Sequence, residues 1–249
     1  MRFVGTWLKR LFGALVILLA GPALAAVTGV ANVAGDWRTA SREPTGIAPD
    51  PATTPEPVLQ VYGARAFSWR GAFAVHTWIA TKRAGAAHYV TYQVIGWRAR
   101  YGRSALAVSQ DAPDRRWYGS APEVYLERRG PEVEALIDKV EAAVATYPYK
   151  DSYRVWPGPN SNTFTAWVGR QVPELRLDLP PTAVGKDWLG STTFAGSAPS
   201  GTGYQLSLFG ILGVTAALEE GLELNVLGLG LGVDPLDLSL RLPGIGRLP

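Results

Sequence analysis

The chain has 249 residues, 47% of them hydrophobic and 18% charged, a globular composition with room for one sizeable core rather than a disordered one. Its formal net charge of +3 comes from Arg2, Lys9 and Arg10; without them 21 basic residues face 21 acidic ones, which argues against a nucleic-acid partner. No cysteine occurs, so disulfides, thiolate catalysis and Cys-ligated metals are excluded, and the two histidines, His76 and His88, stand in no metal-ligand spacing, so neither a metal nor a cofactor is expected.

The amino terminus reads as an export signal. Residues 1–10 carry three positive charges, and an uncharged run follows from Leu11. Gly21-Pro22 is expected to break a helix, and Ala23-Leu24-Ala25 has the small-residue pattern of a cleavage site. The uncharged stretch continues through Val27, Val30 and Val33, so an uncleaved anchor crossing a bilayer of ~30 Å is the alternative. Residues 1–25 are thus a signal peptide or membrane anchor. Either places the rest of the chain outside the cytoplasm, periplasmic or inner-membrane-anchored and facing the periplasm.

Residues 36–57, with Pro44, Pro49, Pro51, Pro55 and Pro57, read as an extended linker. Strand-like text begins at Val58-Leu59-Gln60-Val61-Tyr62. Phe67 to Ile79 alternates around Gly71 and can supply two strands, and His88 to Ile95 supplies another, so an antiparallel meander is expected. Residues 97–130 are irregular and rich in arginine, a solvated, salt-laced surface with an anionic contact as the alternative. Pro131 to Tyr147 is the clearest helix: Val133, Leu136, Ile137, Val140 and Val144 make one core-facing stripe, and Pro148 ends it. Asn160 is an N-cap for a second helix, roughly Ser161 to Arg170. Gly185 to Leu189 reads as an ordered loop. In the tail, Leu227-Gly228-Leu229-Gly230-Leu231-Gly232-Val233 alternates strictly. That pattern predicts a β-hairpin whose glycine face receives a close neighbour such as the aromatics, with a membrane surface as the alternative. The organisation is then an α+β core over 58–190 and a Gly/Leu-rich β extension over 191–249 packed on it.

Two segments carry residues suited to acyl chemistry. Ser161, in the first turn of a helix, faces backbone N–H groups that could hold an oxyanion, and His76, on a strand, could take its proton. A third group must orient the imidazole; Gln93 or Thr91 on the next strand are the candidates, with Tyr89 and Tyr92 behind them. Asn160, Asn162, Trp78 and Tyr92 are candidate ligand-contacting side chains. The alternative for His76 is a satisfied core histidine, for His88 a surface residue, and for Ser161 and its two asparagines plain capping roles.

His76-Thr77-Trp78-Ile79-Ala80-Thr81-Lys82, Tyr92-Gln93-Val94-Ile95-Gly96-Trp97-Arg98 and the terminal Leu242-Pro243-Gly244-Ile245-Gly246-Arg247-Leu248 resemble an uncharacterised bacterial family, domain-of-unknown-function family 3750, over most of the chain after the leader. More distantly, His76 followed by Asn160-Ser161-Asn162-Thr163-Phe164 is similar to the circularly permuted NlpC-type papain-like superfamily, in which the histidine strand precedes a nucleophile helix that often opens with Asn-Cys. The resemblance implies an antiparallel sheet with a few helices, a permuted papain-like core, and Ser161 standing where that superfamily carries cysteine. A hydroxyl is far harder to ionise than a thiol. The leading expectation is therefore an exported, envelope-facing protein that binds a peptidoglycan or lipid ligand without turnover. A Ser/His amide or ester hydrolase of cell-wall or lipid substrates, and a structural membrane-associated protein, are the alternatives.

Overall fold

The structure, a computed structural model, describes residues 2–249. Helix α1 (Arg2–Val27) leads into an extended segment and then an antiparallel sheet. This first sheet contains β1 (Val58–Arg65), β2 (Val75–Lys82), β3 (Val90–Val94), β4 (Leu106–Gln110) and β5 (Glu123–Arg129), in the order β4-β3-β2-β1-β5. A short helix, α2 (Gly96–Arg100), links β3 to β4, and α3 (Val133–Ala145) and α4 (Ser161–Gln171) follow β5. The architecture is α+β, as expected, and the expected helices are both present.

The sheet is covered on both faces, which is why β1 and β2 are buried along almost their whole length. On one face Leu59, Val61, Ile79 and Val94 pack with Ile137 and Val140 of α3 and Phe164 and Val168 of α4. On the other, Val58, Tyr62, Trp78, Ala80 and Tyr89 form a smaller cluster against Trp117. Each fully buried aliphatic here contributes about 1.5–3 kcal/mol relative to exposure.

Three parts differ from the sequence expectations. Phe67 to Ile79 supplies one strand, not two, because Ser68–Ala72 forms a 3-10 turn before β2. Residues 97–130 are not irregular throughout; they hold α2, β4 and β5. Both strands are sheet edges with charged and exposed positions, so they lack the apolar signature of the central strands. Residues 36–57 do run extended, but they lie docked along loop 111–119. The buried Asp114 carboxylate accepts from Thr45 Oγ1 (3.2 Å) and from the Ile47 N–H (2.9 Å), and Tyr89 donates to the Pro49 carbonyl. Arginines in the 97–130 stretch pair with Asp111 and Glu127, a salt-laced surface.

The second sheet is a seven-stranded meander of β6 (Ala195–Ser197), β7 (Gly203–Leu208), β8 (Leu212–Ala217), β9 (Gly221–Val226), β10 (Leu229–Asp234), β11 (Ser239–Leu242) and β12 (Gly246–Leu248). The single hairpin read from the tail corresponds only to β9–β10. Leu227-Gly228 is its turn, with both residues at positive φ (57° and 81°), rather than strand. Gly230 and Gly232 do share a face, but their close neighbours there are the Glu223 carboxylate and the Leu222 carbonyl, whereas Gly228, in the turn, does meet an aromatic ring, Trp156. A Cβ at Gly230 would lie 2.3 Å from Glu223 Oε1.

That face of the second sheet is polar and turned inward. Gln205, Ser207, Thr215, Glu223, Asn225, Asp234, Ser239 and Arg241 are all buried. They hold the segment that ends the core. Asp187 accepts from Gln205 Nε2 and Asn225 Nδ2, Lys186 Nζ bridges Asp187 (2.9 Å) and Glu223 (2.6 Å), and Arg241 reaches Glu223 (3.0 Å) and Asp178 (2.6 Å). Burial opposes the charge of Lys186, but Asp187 and Glu223 outweigh it and raise its pKa; the same holds for Arg241 beside Asp178 and Glu223. Arg170 of α4 donates to Gln205 Oε1 and the Lys186 carbonyl, and its burial lowers its pKa to about 10.

Helix α1 does not break at Gly21-Pro22 but continues to Val27, with Pro22 inside it. Thr6–Val27 has a mean hydropathy of 2.0 and is long and apolar enough to cross a membrane.

Candidate functional site

The sheet and the loops at one end of β2 enclose a cleft of about 1530 Å³. His76, Gln93, Asn160, Ser161 and Asn162 all line it, so residues 85 positions apart in sequence meet at one surface. Its walls are aromatic: Trp69 and Phe73 follow β1, Trp97 lies on α2, Trp117 and Tyr118 on the loop before β5, and Trp156 before α4. Arg42, Arg70, Arg100, Arg115 and Arg116 also line it, against Asp111 and Asp151 as the carboxylates, and Asp111 already pairs with Arg115.

His76 is 5% exposed. Alternation along β2 turns Thr77 toward α4, where its hydroxyl meets Asn162 Oδ1 (3.0 Å) and Thr165 Oγ1 (2.9 Å), and turns His76 to the opposite side. There the imidazole stacks flat on Trp117, with centroids 3.6 Å apart and an interplanar angle of 5°. Its Nε2 lies 3.1 Å from Gln93 Oε1. An amide oxygen can only accept, so this contact places the ring proton on Nε2 and leaves the Nδ1 lone pair free. Burial lowers the His76 pKa to about 4, against a smaller upward pull from Gln93, so the ring is neutral above that pH.

Ser161 opens α4 as expected, behind a complete capping box: Asn160 Oδ1 accepts from the N–H groups of Asn162 and Thr163, and Thr163 Oγ1 accepts from the Asn160 N–H. The Phe164 N–H goes to the Asn160 carbonyl. The Asn162 and Thr163 donors are therefore occupied, which corrects the sequence reading for those two, while the Ser161 N–H has no partner among the described residues. The Ser161 hydroxyl makes no hydrogen bond among the described residues; the threonine hydroxyls of Thr77 and Thr165 reach its carbonyl instead.

The remaining candidates divide. Asn160 Nδ2 donates to the Val155 and Val184 carbonyls, and Asn162 Nδ2 to those of Val75 and Val184, so both asparagine amides tie the helix start to its surroundings. Thr91 bonds Ser109 rather than His76, which leaves Gln93 as the group on the imidazole. Trp78 lines the cleft but is buried, stacked on Tyr62, and donates to the Pro113 carbonyl. Tyr92 lies on the helix-covered face, bonded to Glu141 and Thr81, and does not line the cleft. His88 is exposed. Sequence reasoning missed Trp117, Trp97, Trp156 and Arg42. The run Arg115-Arg116-Trp117-Tyr118 was the available signal, because cations and aromatics interleaved in a loop are costly to leave without a role.

The family model described as "Protein of unknown function (DUF3750)" matches residues 56–188, more than half of the chain. The match takes in the first sheet, α3, α4 and every core residue of the site, and ends at Trp188 in the segment clamped by the second sheet; the terminal Leu242–Leu248 stretch lies outside it. No curated protein and no solved structure matches the chain. The chain belongs to the DUF3750 family.

Proposed function

For this DUF3750 member we propose an exported, envelope-facing role in which the aromatic cleft binds a peptidoglycan fragment or lipid headgroup without turning it over. The observation that carries this reading is the state of the polar groups in the cleft. His76 Nε2 is committed to Gln93 and its ring to Trp117, the Asn162 and Thr163 N–H groups of α4 are committed to Asn160, and most of what stays open to a ligand is aromatic faces and arginines. Flat rings and sugars stack on indoles, while Arg70 and Arg100, which have no carboxylate partner among the described residues, suit an anionic group. The apolar α1 supports placement at a membrane, and the order of His76 strand before Ser161 helix, with Thr77 joining the two, supports a permuted papain-like core.

Binding is measured by tryptophan fluorescence during titration with muropeptides and phospholipid headgroups, and the ligand is recovered and weighed by mass spectrometry. Intact ligand and at least about tenfold weaker binding in Trp117→Ala, equivalent to about 1.4 kcal/mol, are expected. Released product would end the binding reading.

One observation favours a second reading, a Ser/His hydrolase. Gln93 fixes the tautomer that leaves Nδ1 of a neutral His76 as a free base in the cleft that also holds an unbonded Ser161 hydroxyl. In that case Nδ1 takes the Ser161 proton as Oγ attacks a carbonyl, the leaving group departs with that proton, and water then releases the acyl group. Ser161→Ala would abolish release while leaving the melting temperature unchanged. Equal release by Ser161→Ala and the parent protein would remove this reading.

A further inference from the structure

The second sheet is inverted relative to a solvated sheet. Its buried face is polar, and its outer face carries aliphatic side chains in unbroken rows. Leu206, Val214, Leu224 and Leu231 stand opposite one another across β7, β8, β9 and β10. A second row, Ala216, Leu222, Val233, Leu240 and Leu248, crosses β8 to β12. Leu206 is 62% exposed and Leu222 56%, and no charged residue occupies an outer-face strand position. The charged residues in these strands, Glu223, Asp234, Arg241 and Arg247, all turn to the inner side, toward Asp178 and Lys186 or, for Arg247 and Asp234, toward one another. A contiguous aliphatic face across six strands, β7 to β12, is the kind of exposed patch that marks an interaction surface.

The position of α1 identifies what covers it. The helix touches the rest of the molecule near its carboxyl end, where Gly21 and Pro22 are wedged against the β11–β12 turn. A Cβ on Gly21 would lie 1.9 Å from the Pro243 carbonyl oxygen, and one on Gly244 2.4 Å from Pro22 N. Arg65 fixes that turn from below by donating to the Gly244 and Ile245 carbonyls. Leu8, Phe12, Leu15 and Ile17 project free of the body. The apolar sheet therefore starts where an apolar, membrane-length helix leaves the domain.

We propose that the outer face of this sheet docks on the acyl surface of a lipid bilayer, with α1 as its tether. This rests on the membrane placement of α1 given above, and is independent of whether the cleft binds or cleaves. Leu227, at the β9–β10 turn, is both part of the exposed apolar surface and part of the cleft wall, where its carbonyl accepts from Trp156 Nε1. Docking thus brings the rim of the cleft to the lipid.

The absence of cysteine allows single-site labelling of the full chain. Leu224→Cys and Leu240→Cys, each carrying an environment-sensitive dye, are reconstituted in phosphatidylcholine vesicles containing brominated lipid. Leu15→Cys on α1 reports the tether, and Ala135→Cys on the exposed side of α3 is the aqueous control. A face seated about 5–10 Å into the headgroup–acyl boundary should give dyes at 224 and 240 at least about threefold more quenching than the dye at 135. Quenching should be unchanged by salt, because the face has no charge to screen. Quenching at 15 without quenching at 224 and 240 overturns the docking and leaves the tether. No quenching at any of the three overturns both. Dye-to-dye contact at 224 without lipid quenching overturns the bilayer in favour of a second copy of this chain, and salt-sensitive quenching overturns acyl docking in favour of headgroup attraction.

Discussion

In the first sheet, the central strands β1 and β2 bury apolar side chains on both faces, whereas the second sheet buries Glu223, Asn225 and Arg241 and leaves most of its leucines outside. The first is held by apolar area, which is non-directional and tolerates repacking. The second is held to the core by charge-assisted hydrogen bonds in a buried interface, where each partner is needed to keep the others satisfied. An apolar core asks only for shape, but the polar clamp on Lys186 and Asp187 specifies register and position. That fits an element whose outer face cannot be positioned by burial within the molecule itself.

The sharpest way to break this contrast is Arg241→Met. The substitution leaves Glu223 without one cation and strips Asp178 of its buried partner, while the Leu179 carbonyl loses its donor. Removing one member of a buried ion pair costs about 3–5 kcal/mol, so chemical denaturation of the full chain should register a loss as large as that of a deep core truncation. A cost below about 1 kcal/mol would mean that water reaches the interface and that the clamp is a surface network.

The next effect is smaller and depends on pH. His76 is held neutral in the fold with a pKa of about 4, against about 6.5 in the unfolded chain. Its burial therefore contributes fully above pH 6.5. Below that the unfolded state binds a proton the folded state refuses, and stability falls until the folded ring titrates near pH 4. Over that window the loss amounts to about 3 kcal/mol. His76→Gln, which cannot titrate, should show a shallower fall in unfolding free energy between pH 7 and 4 than the parent protein. Identical slopes would place His76 in contact with water and weaken the case that its stack on Trp117 is closed.

The two regions also differ in how far the sequence disclosed them. β1, β3, α3 and α4 were readable because their patterns report burial and helix starts directly: the stripe from Val133 to Val144 has one apolar side, and Asn160 is an N-cap; the β2 region was overread as two strands. The meeting of His76, Gln93 and Ser161 at one cleft was anticipated from residue types and chain order, while its aromatic walls were not, since Trp97, Trp117 and Trp156 lie in loops whose approach depends on tertiary packing. The second sheet was underread for a different reason. Alternation in Tyr204-Gln205-Leu206-Ser207-Leu208 states that two faces differ but not which one is inside. The usual rule assigns the apolar face inward. Here that rule is inverted by cations and anions supplied from both sides of the interface, Lys186 and Asp178 from the core and Glu223 and Arg241 from the sheet, whose complementarity no local pattern reveals.

The smallest expected effect is also the most discriminating between the two sheets. Ile79 in β2 is fully buried, and Ile79→Ala should cost about 2–5 kcal/mol through lost transfer energy and the cavity left behind. Leu222 in β9 occupies a regular strand position on the outer face, and Leu222→Ala should change stability by no more than about 0.5 kcal/mol. The same chemical truncation in two antiparallel strands then differs several-fold. Parity of the two losses would show that Leu222 is buried in the free protein, by a second copy or by a rearranged tail. A near-zero loss, with reduced vesicle quenching when Leu206 and Leu224 are also truncated, would show that these leucines act on a surface outside the fold.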